Sequence, residues 1–99
     1  MPLLPATVAD DELPVTACFF IHARAEPGAM PRILELFAKR GLIPSFWHSA
    51  RAGADQSLLT IDLQMRGLGR DVMDYIAACM RQMPFVEVVL TSEKHSIAG

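Results

Sequence analysis

Clustered positive charge and long apolar runs are missing from this sequence, and each absence excludes a class of protein. The nine lysine and arginine residues are scattered and the formal net charge is −2. We therefore expect no nucleic-acid partner, since that partner requires a basic surface. No apolar run approaches the about 20 residues that span a bilayer. Prolines interrupt the apolar start at residues 1–5 and no cations precede it, which argues against a signal peptide. We therefore expect a cytoplasmic protein without a membrane partner.

Cysteine is also scarce. Cys18 and Cys79 lie far apart, each inside an apolar segment, so we expect buried free thiols in a reducing compartment. Hydrophobic residues make up 52% of the 99 residues, which is enough for the core of one domain. We expect a flexible N-terminal tail at residues 1–14, the domain at residues 15–94 and a frayed C-terminus at residues 95–99.

The first strand and helix are marked by their apolar periodicity. Residues 15–24 alternate like a strand, with Phe19 and Ile21 on one face. Helical spacing follows, with a predicted apolar stripe of Met30, Ile33, Leu34, Phe37 and Ala38. Gly41 is a natural C-cap for this helix.

Three further strands and a second helix complete the pattern. Residues 43–51 predict a strand, and Pro44 indicates an edge position because proline cannot donate to a ladder. Residues 59–65 and 86–91 alternate like strands, and between them lies a helical stripe of Val72, Met73, Ile76, Ala77, Met80 and Met83. The β-α-β-β-α-β order predicts an α+β, ferredoxin-like sandwich, with two helices on one face of a four-stranded antiparallel sheet. The first and third strands should be central.

The residues that could carry catalysis or metal binding do not form a recognised site. His22, His48 and His95 lack the close spacing of metal ligands, so we expect no metal or cofactor. The sequence contains no asparagine, which excludes acylphosphatase, an enzyme of similar size and topology that uses one. An RNA-binding module of this topology stacks bases on strand aromatics, whereas Asp62 on the third strand would repel phosphate. The outward Phe20 predicts instead an apolar patch for a tail or partner.

The turn after the first strand is the best candidate for a binding site. Gly28 permits a close backbone approach or a positive φ. The N–H groups of Gly28, Ala29 and Met30 at a helix start suit a carboxylate, although Pro31 removes one donor. A plain turn between strand and helix explains the same residues equally well.

Phe46 and Trp47 are candidate interface residues on the predicted edge strand. Aromatic side chains beside an open edge often anchor an interface. A packing role explains Trp47 equally well.

The segment after the first strand resembles the ACT domain family, in particular the small regulatory subunits of acetolactate synthase. The loop Ala25-Glu26-Pro27-Gly28-Ala29-Met30 is similar to the family's Asn-Glu-Pro-Gly-Ala-Leu. The helix ends in Phe37-Ala38-Lys39-Arg40-Gly41, which matches the family's Phe-x-x-Arg-Gly. The order of strands and helices extends the likeness over most of the chain.

This resemblance implies a non-catalytic regulatory domain that forms a homodimer or higher oligomer through strand two and helix one. It implies an amino-acid effector between the first loop of one copy and the segment after helix one of its neighbour. The residues so implied are Ala25, Glu26, Pro27, Gly28, Ala29, Met30, Ile43 and Pro44. It also implies a thiamine-dependent acetolactate synthase catalytic subunit as partner, and a role in branched-chain amino acid biosynthesis.

Two polar positions of the family are apolar in this sequence. The asparagine that holds the effector corresponds to Ala25, and a second asparagine falls near Ile43. Losing such a contact costs about 1–3 kcal/mol, which favours a regulatory subunit over an amino-acid sensor. Two other hypotheses stay open: a free-standing ACT dimer that senses an amino acid or another small carboxylate, and an assembly module without a ligand.

Overall fold

The strands and helices follow the predicted β-α-β-β-α-β order. A computed structural model of the protein describes residues 15–95, so the predicted tail, residues 1–14, and residues 96–99 lie outside the described residues. The elements are β1 (Val15–Arg24), α1 (Ala29–Ala38), β2 (Phe46–Ala52), β3 (Leu58–Arg66), α2 (Arg70–Arg81) and β4 (Val86–His95). Neither helix within residues 15–95 is long and apolar enough to cross a bilayer.

The four strands form an antiparallel sheet in the order β2-β3-β1-β4. This confirms the predicted fold class and the central positions of the first and third strands. On β1, Phe19 and Ile21 are fully buried while Phe20 between them is exposed, because successive side chains point to opposite faces. Buried residues of both helices join the cluster that contains Phe19 and Ile21. Both helices therefore cover one face of the sheet, and Phe20 lies on the other.

Phe37 anchors α1 to the sheet. Its fully buried ring meets Phe19 edge to face, with 5.7 Å between ring centroids and 87° between planes. An aromatic pair of this geometry contributes about 0.5–1.5 kcal/mol beyond the burial of its area. Ile33, one turn earlier, is also fully buried.

Gly41 ends α1 as the sequence predicts. Its φ is +70°, the left-handed conformation that glycine adopts without steric cost. The Gly41 N–H donates to the carbonyl oxygen of Ala38 at 2.9 Å, and the Leu42 N–H donates to that of Phe37 at 2.9 Å. These two bonds form a Schellman motif, which satisfies carbonyl groups that the helix end would otherwise leave unpaired.

The buried face of α1 is rotated from the predicted stripe, and that of α2 is narrower than predicted. Met30, Leu34 and Ala38, all expected on the stripe of α1, are exposed, whereas Ala29 and Leu36 are buried. On α2, Val72 is exposed. The Ser49 hydroxyl contacts the Met30 sulfur at 3.4 Å, so this side of α1 lies over β2. Because β2 is the edge of the sheet, no further strand within residues 15–95 extends under Met30 and Leu34.

Two strand boundaries also differ from prediction. β2 begins at Phe46 and not at residue 43, so Pro44 precedes the strand. The edge position of β2 is nevertheless confirmed by the strand order. β4 continues to His95, beyond the predicted end, because its last residues pair with the beginning of β1. At the other end of β1, the pairing with β4 shifts its register between His22 and Ala23.

Candidate ligand-binding site

A cleft of about 260 Å³ lies where the loop between β1 and α1 meets the ends of β2 and β3. Its walls come from Ala25, Glu26, Pro27, Met30, Arg51 and Leu59. Four of these residues belong to the predicted loop. Arg51 on β2 and Leu59 on β3 were not among the predicted site residues.

Backbone hydrogen bonds hold the loop against the end of the sheet. The Arg24 N–H donates to the carbonyl oxygen of Phe85, and the Ala25 N–H donates to that of Ser57, each at 2.8 Å. The chain then turns into α1 through a bond from the Ala29 N–H to the Glu26 carbonyl oxygen at 3.0 Å. The loop is thereby tied to the segments preceding β3 and β4.

The geometry at Gly28 differs from the expected one. Its φ is −82°, and a Cβ atom built on it would meet nothing within 4 Å. Neither a positive φ nor close packing therefore requires glycine at this position. Of the three N–H groups expected to bind an anion, that of Ala29 already donates to Glu26. A backbone anion site at this turn thus relies on the N–H groups of Gly28 and Met30.

Arg51 supplies the positive charge of the cleft. In the pairing of β2 with β3 it lies opposite the buried Leu59, on the helix-covered face. Its Nε donates to the carbonyl oxygen of Gln56 at 2.9 Å, which fixes the direction of the guanidinium group. Among residues 15–95, no carboxylate oxygen lies within salt-bridge distance of Arg51.

The turn at residues 53–57 contains the carbonyl oxygen that accepts from Arg51. It is held by its own hydrogen bonds. The Ser57 N–H donates to Asp55 Oδ1 at 3.1 Å, and hydrogen bonding from Ser57 holds the pKa of Asp55 below its ordinary value of 3.8. Gln56 adopts a φ of +61° and donates from its backbone N–H to Gly53 at 3.2 Å. This turn places the Gln56 carbonyl oxygen within reach of Arg51.

Glu26 is the acidic residue of the cleft, and its charge is already partnered. The Arg24 Nε donates to Glu26 Oε2 at 3.0 Å, and the Arg24 Nη1 donates to the carbonyl oxygen of Pro84 at 3.3 Å. Both side chains of the ion pair are about half exposed, so the pair adds little to stability. It does offset the negative charge of Glu26 beside the cleft.

The other predicted site residues lie away from this cleft. Ile43 and Pro44 precede β2, at the opposite end of that strand from Arg51. Phe46 is exposed on the helix-free face, whereas Trp47 is half-buried against the core. The roles of these four residues in a ligand site or interface stay predictions.

The histidines and cysteines of the described chain do not gather into a site. Within residues 15–95, no group of three or more His, Cys, Asp or Glu side chains is placed to hold a metal ion. Cys18 and Cys79 are free thiols. Both are only partly buried, so the prediction of buried thiols was too strong.

The family of the chain follows from its sequence, independently of the geometry of the cleft. A model described as an ACT-like domain matches residues 10–97. The chain belongs to the ACT-like domain family. Domains of this family are in general regulatory and non-catalytic. This agrees with the regulatory, non-catalytic role expected from the sequence. The match to the ACT-like domain carries no assignment to acetolactate synthase.

Solved structures share the fold of this ACT-like domain. The ACT domain from GTP pyrophosphokinase of Chlorobium tepidum has a TM-score of 0.64 at 16% identity, covering 78% of this chain and 96% of that chain. The regulatory subunit of aspartate kinase from Thermus flavus has a TM-score of 0.60 at 14% identity, covering 81% of this chain and 52% of that chain. The C-terminal domain of the MgtC protein from Mycobacterium tuberculosis has a TM-score of 0.60 at 20% identity, covering 90% and 98%. A comparison with curated proteins finds no significant match.

Proposed function

We propose that this ACT-like domain is a small regulatory subunit of acetolactate synthase, which controls a thiamine-dependent catalytic subunit in branched-chain amino acid biosynthesis. The observation that carries the proposal is the cleft beside the loop between β1 and α1. Its loop residues are those that resemble the family's Asn-Glu-Pro-Gly-Ala-Leu. The Schellman motif at Gly41 gives the family's Phe-x-x-Arg-Gly pattern a structural reason, since glycine suits the left-handed position there.

A second copy of the chain is the first partner in this proposal. β2 is an edge strand, with unpaired backbone groups available to another strand. Apolar side chains flank that edge on both sides: Met30 and Leu34 on α1, and Phe46 on β2, are all exposed. Exposed apolar surface beside an open edge is typical of an interface.

Antiparallel contact between two β2 strands would complete the ligand site that the family resemblance implies. Within one chain, Ile43 and the cleft residue Arg51 lie at opposite ends of β2. A twofold axis reverses the direction of the second strand, so Ile43 of one copy would approach the cleft of the other. The 83% exposure of Ile43 in the single chain agrees with burial by a second copy. Effector binding and association would then be coupled.

Reconstitution with the acetolactate synthase catalytic subunit of the same organism tests the proposed function. We expect the two chains to co-purify and the kcat of the catalytic subunit to rise. Ile43→Asp, at the proposed contact, should reduce this activation, whereas Leu90→Asp changes an exposed residue of the far edge strand and should leave activation unchanged. Failure of the wild-type chain both to co-purify and to activate would contradict the proposal.

A free-standing sensor is the second candidate, and Arg51 favours it. A cationic group that lines a cleft without a carboxylate partner in residues 15–95 suits an anionic ligand whether or not a catalytic subunit is present. Calorimetry on the isolated chain separates this candidate from a ligand-free assembly module. Heat of binding to any small carboxylate supports the sensor, and flat traces at millimolar concentrations leave the assembly module.

A further inference from the structure

The cleft beside the β1–α1 loop offers charge of one sign to a ligand. Of its six lining residues, only Glu26 and Arg51 are charged. Glu26 is paired with Arg24 at 3.0 Å, whereas Arg51 has no ion-pair partner in residues 15–95. The Nε of Arg51 is held by Gln56, which leaves the two terminal nitrogens of the guanidinium group to donate to an acceptor.

The same cleft has little to offer an ammonium group. Ala25 lines it and carries no side-chain acceptor, and the side chain of Ile43, which a second copy would contribute, carries none either. The acidic group of the cleft, the Glu26 carboxylate, has its Oε2 bonded to Arg24 and its charge offset by that ion pair. An ammonium group that finds too few acceptors on leaving water loses part of its hydration uncompensated. An amino acid would therefore bind less well than a carboxylate of the same shape.

The remaining walls suit a short aliphatic body. Ala25, Pro27, Met30 and Leu59 contribute apolar surface to the cleft. Its volume of about 260 Å³ lies below the roughly 300–1,000 Å³ of sites for drug-sized ligands. These dimensions favour a small molecule with one anionic end.

We propose that the cleft binds a small aliphatic carboxylate that lacks an α-ammonium group, with the carboxylate on Arg51. This inference rests on the proposed function, since it takes the cleft to be the effector site of a regulatory domain. A guanidinium group binds a carboxylate through two parallel hydrogen bonds. The start of α1 has no acidic residue in its first turn, so the positive end of its dipole adds to this preference.

Calorimetry with four compounds that share one branched tail tests the ligand class. The compounds are 4-methylpentanoate, 4-methyl-2-oxopentanoate, leucine and 3-methylbutylamine. We expect both carboxylates without an ammonium group to bind about tenfold more tightly than leucine, as loss of one polar contact predicts. The amine should not bind. Amide chemical shifts should change around residues 25–30 when either carboxylate is added.

Three variants connect the binding to the named residues. Arg51→Gln should weaken 4-methylpentanoate binding about tenfold, since one charge-assisted contact is lost. Arg66→Gln changes an exposed arginine at the other end of β3 and should leave binding unchanged. Ala25→Asn should raise the affinity for leucine.

Two results would overturn this ligand class. They are leucine binding as tightly as 4-methylpentanoate, and no binding of either carboxylate at millimolar concentration. If the chain still activates the catalytic subunit in those cases, the proposed function stands without this ligand. Carboxylate binding by a chain that neither co-purifies with the catalytic subunit nor activates it overturns the proposed function alone.

Discussion

Gly28 precedes α1 with a φ of −82°, and Gly41 follows it with a φ of +70°. A residue with a Cβ atom pays about 1–2 kcal/mol to adopt the left-handed conformation. We therefore expect Gly41→Ala to lower the free energy of unfolding by about that amount, as measured by urea denaturation. A Cβ atom at Gly28 meets nothing within 4 Å, so Gly28→Ala should change stability by less than about 0.5 kcal/mol.

The two glycine variants also separate a structural role from a binding role. If Gly28→Ala destabilised the protein as much as Gly41→Ala, the conformations assigned to the two ends of α1 would be wrong. If Gly28→Ala left stability unchanged but weakened ligand binding, the first loop would act through its surface and not through its backbone conformation. The sequence alone does not separate these roles, because glycine is favoured both at turns and near ligands.

At the scale of the element, the contacts of α1 predict which of its apolar residues stabilise the fold. Phe37 is fully buried against Phe19, whereas Leu34 is exposed at the β2 side of the helix. Phe37→Ala should therefore lower the free energy of unfolding by about 3–5 kcal/mol. Leu34→Ala should lower it by about 1 kcal/mol or less. Chemical denaturation at low protein concentration compares the two, and equal losses would contradict the observed orientation of α1.

Local sequence patterns predicted the elements and which strands are central, but not which residues face one another across neighbouring strands. The α1 periodicity and Gly41 fixed where that helix ends, because both signals act within one turn of helix. The role of Arg51 in the cleft depends on its pairing with Leu59 across two strands, and periodicity within β2 carries no information about that register. Val88 and Leu90 point outward because they pair with His22 and Phe20, whereas the register shift between His22 and Ala23 lets Val86 pack against the core.

At the scale of the whole molecule, the sheet leaves two different edges. Four exposed apolar residues lie on or beside β2: Met30, Leu34, Ile43 and Phe46. β4 carries two, Val88 and Leu90, together with the exposed polar residues Glu87, Ser92 and Lys94. Charged residues on an edge strand discourage pairing with another chain. The two edges are therefore unequal, and β2 is the edge at which a second copy would bury more apolar surface.

Association through β2 and α1 predicts that stability depends on protein concentration. A dimer is stabilised by mass action, so the Tm of the wild-type chain should rise with concentration, and light scattering should give the mass of two chains. Leu34→Asp places a charge on the proposed interface and should yield a monomer whose Tm no longer depends on concentration. Val72→Asp is the matched control, since Val72 is equally exposed on α2. A dimer that survives Leu34→Asp but dissociates with Val72→Asp would place the interface on α2 instead.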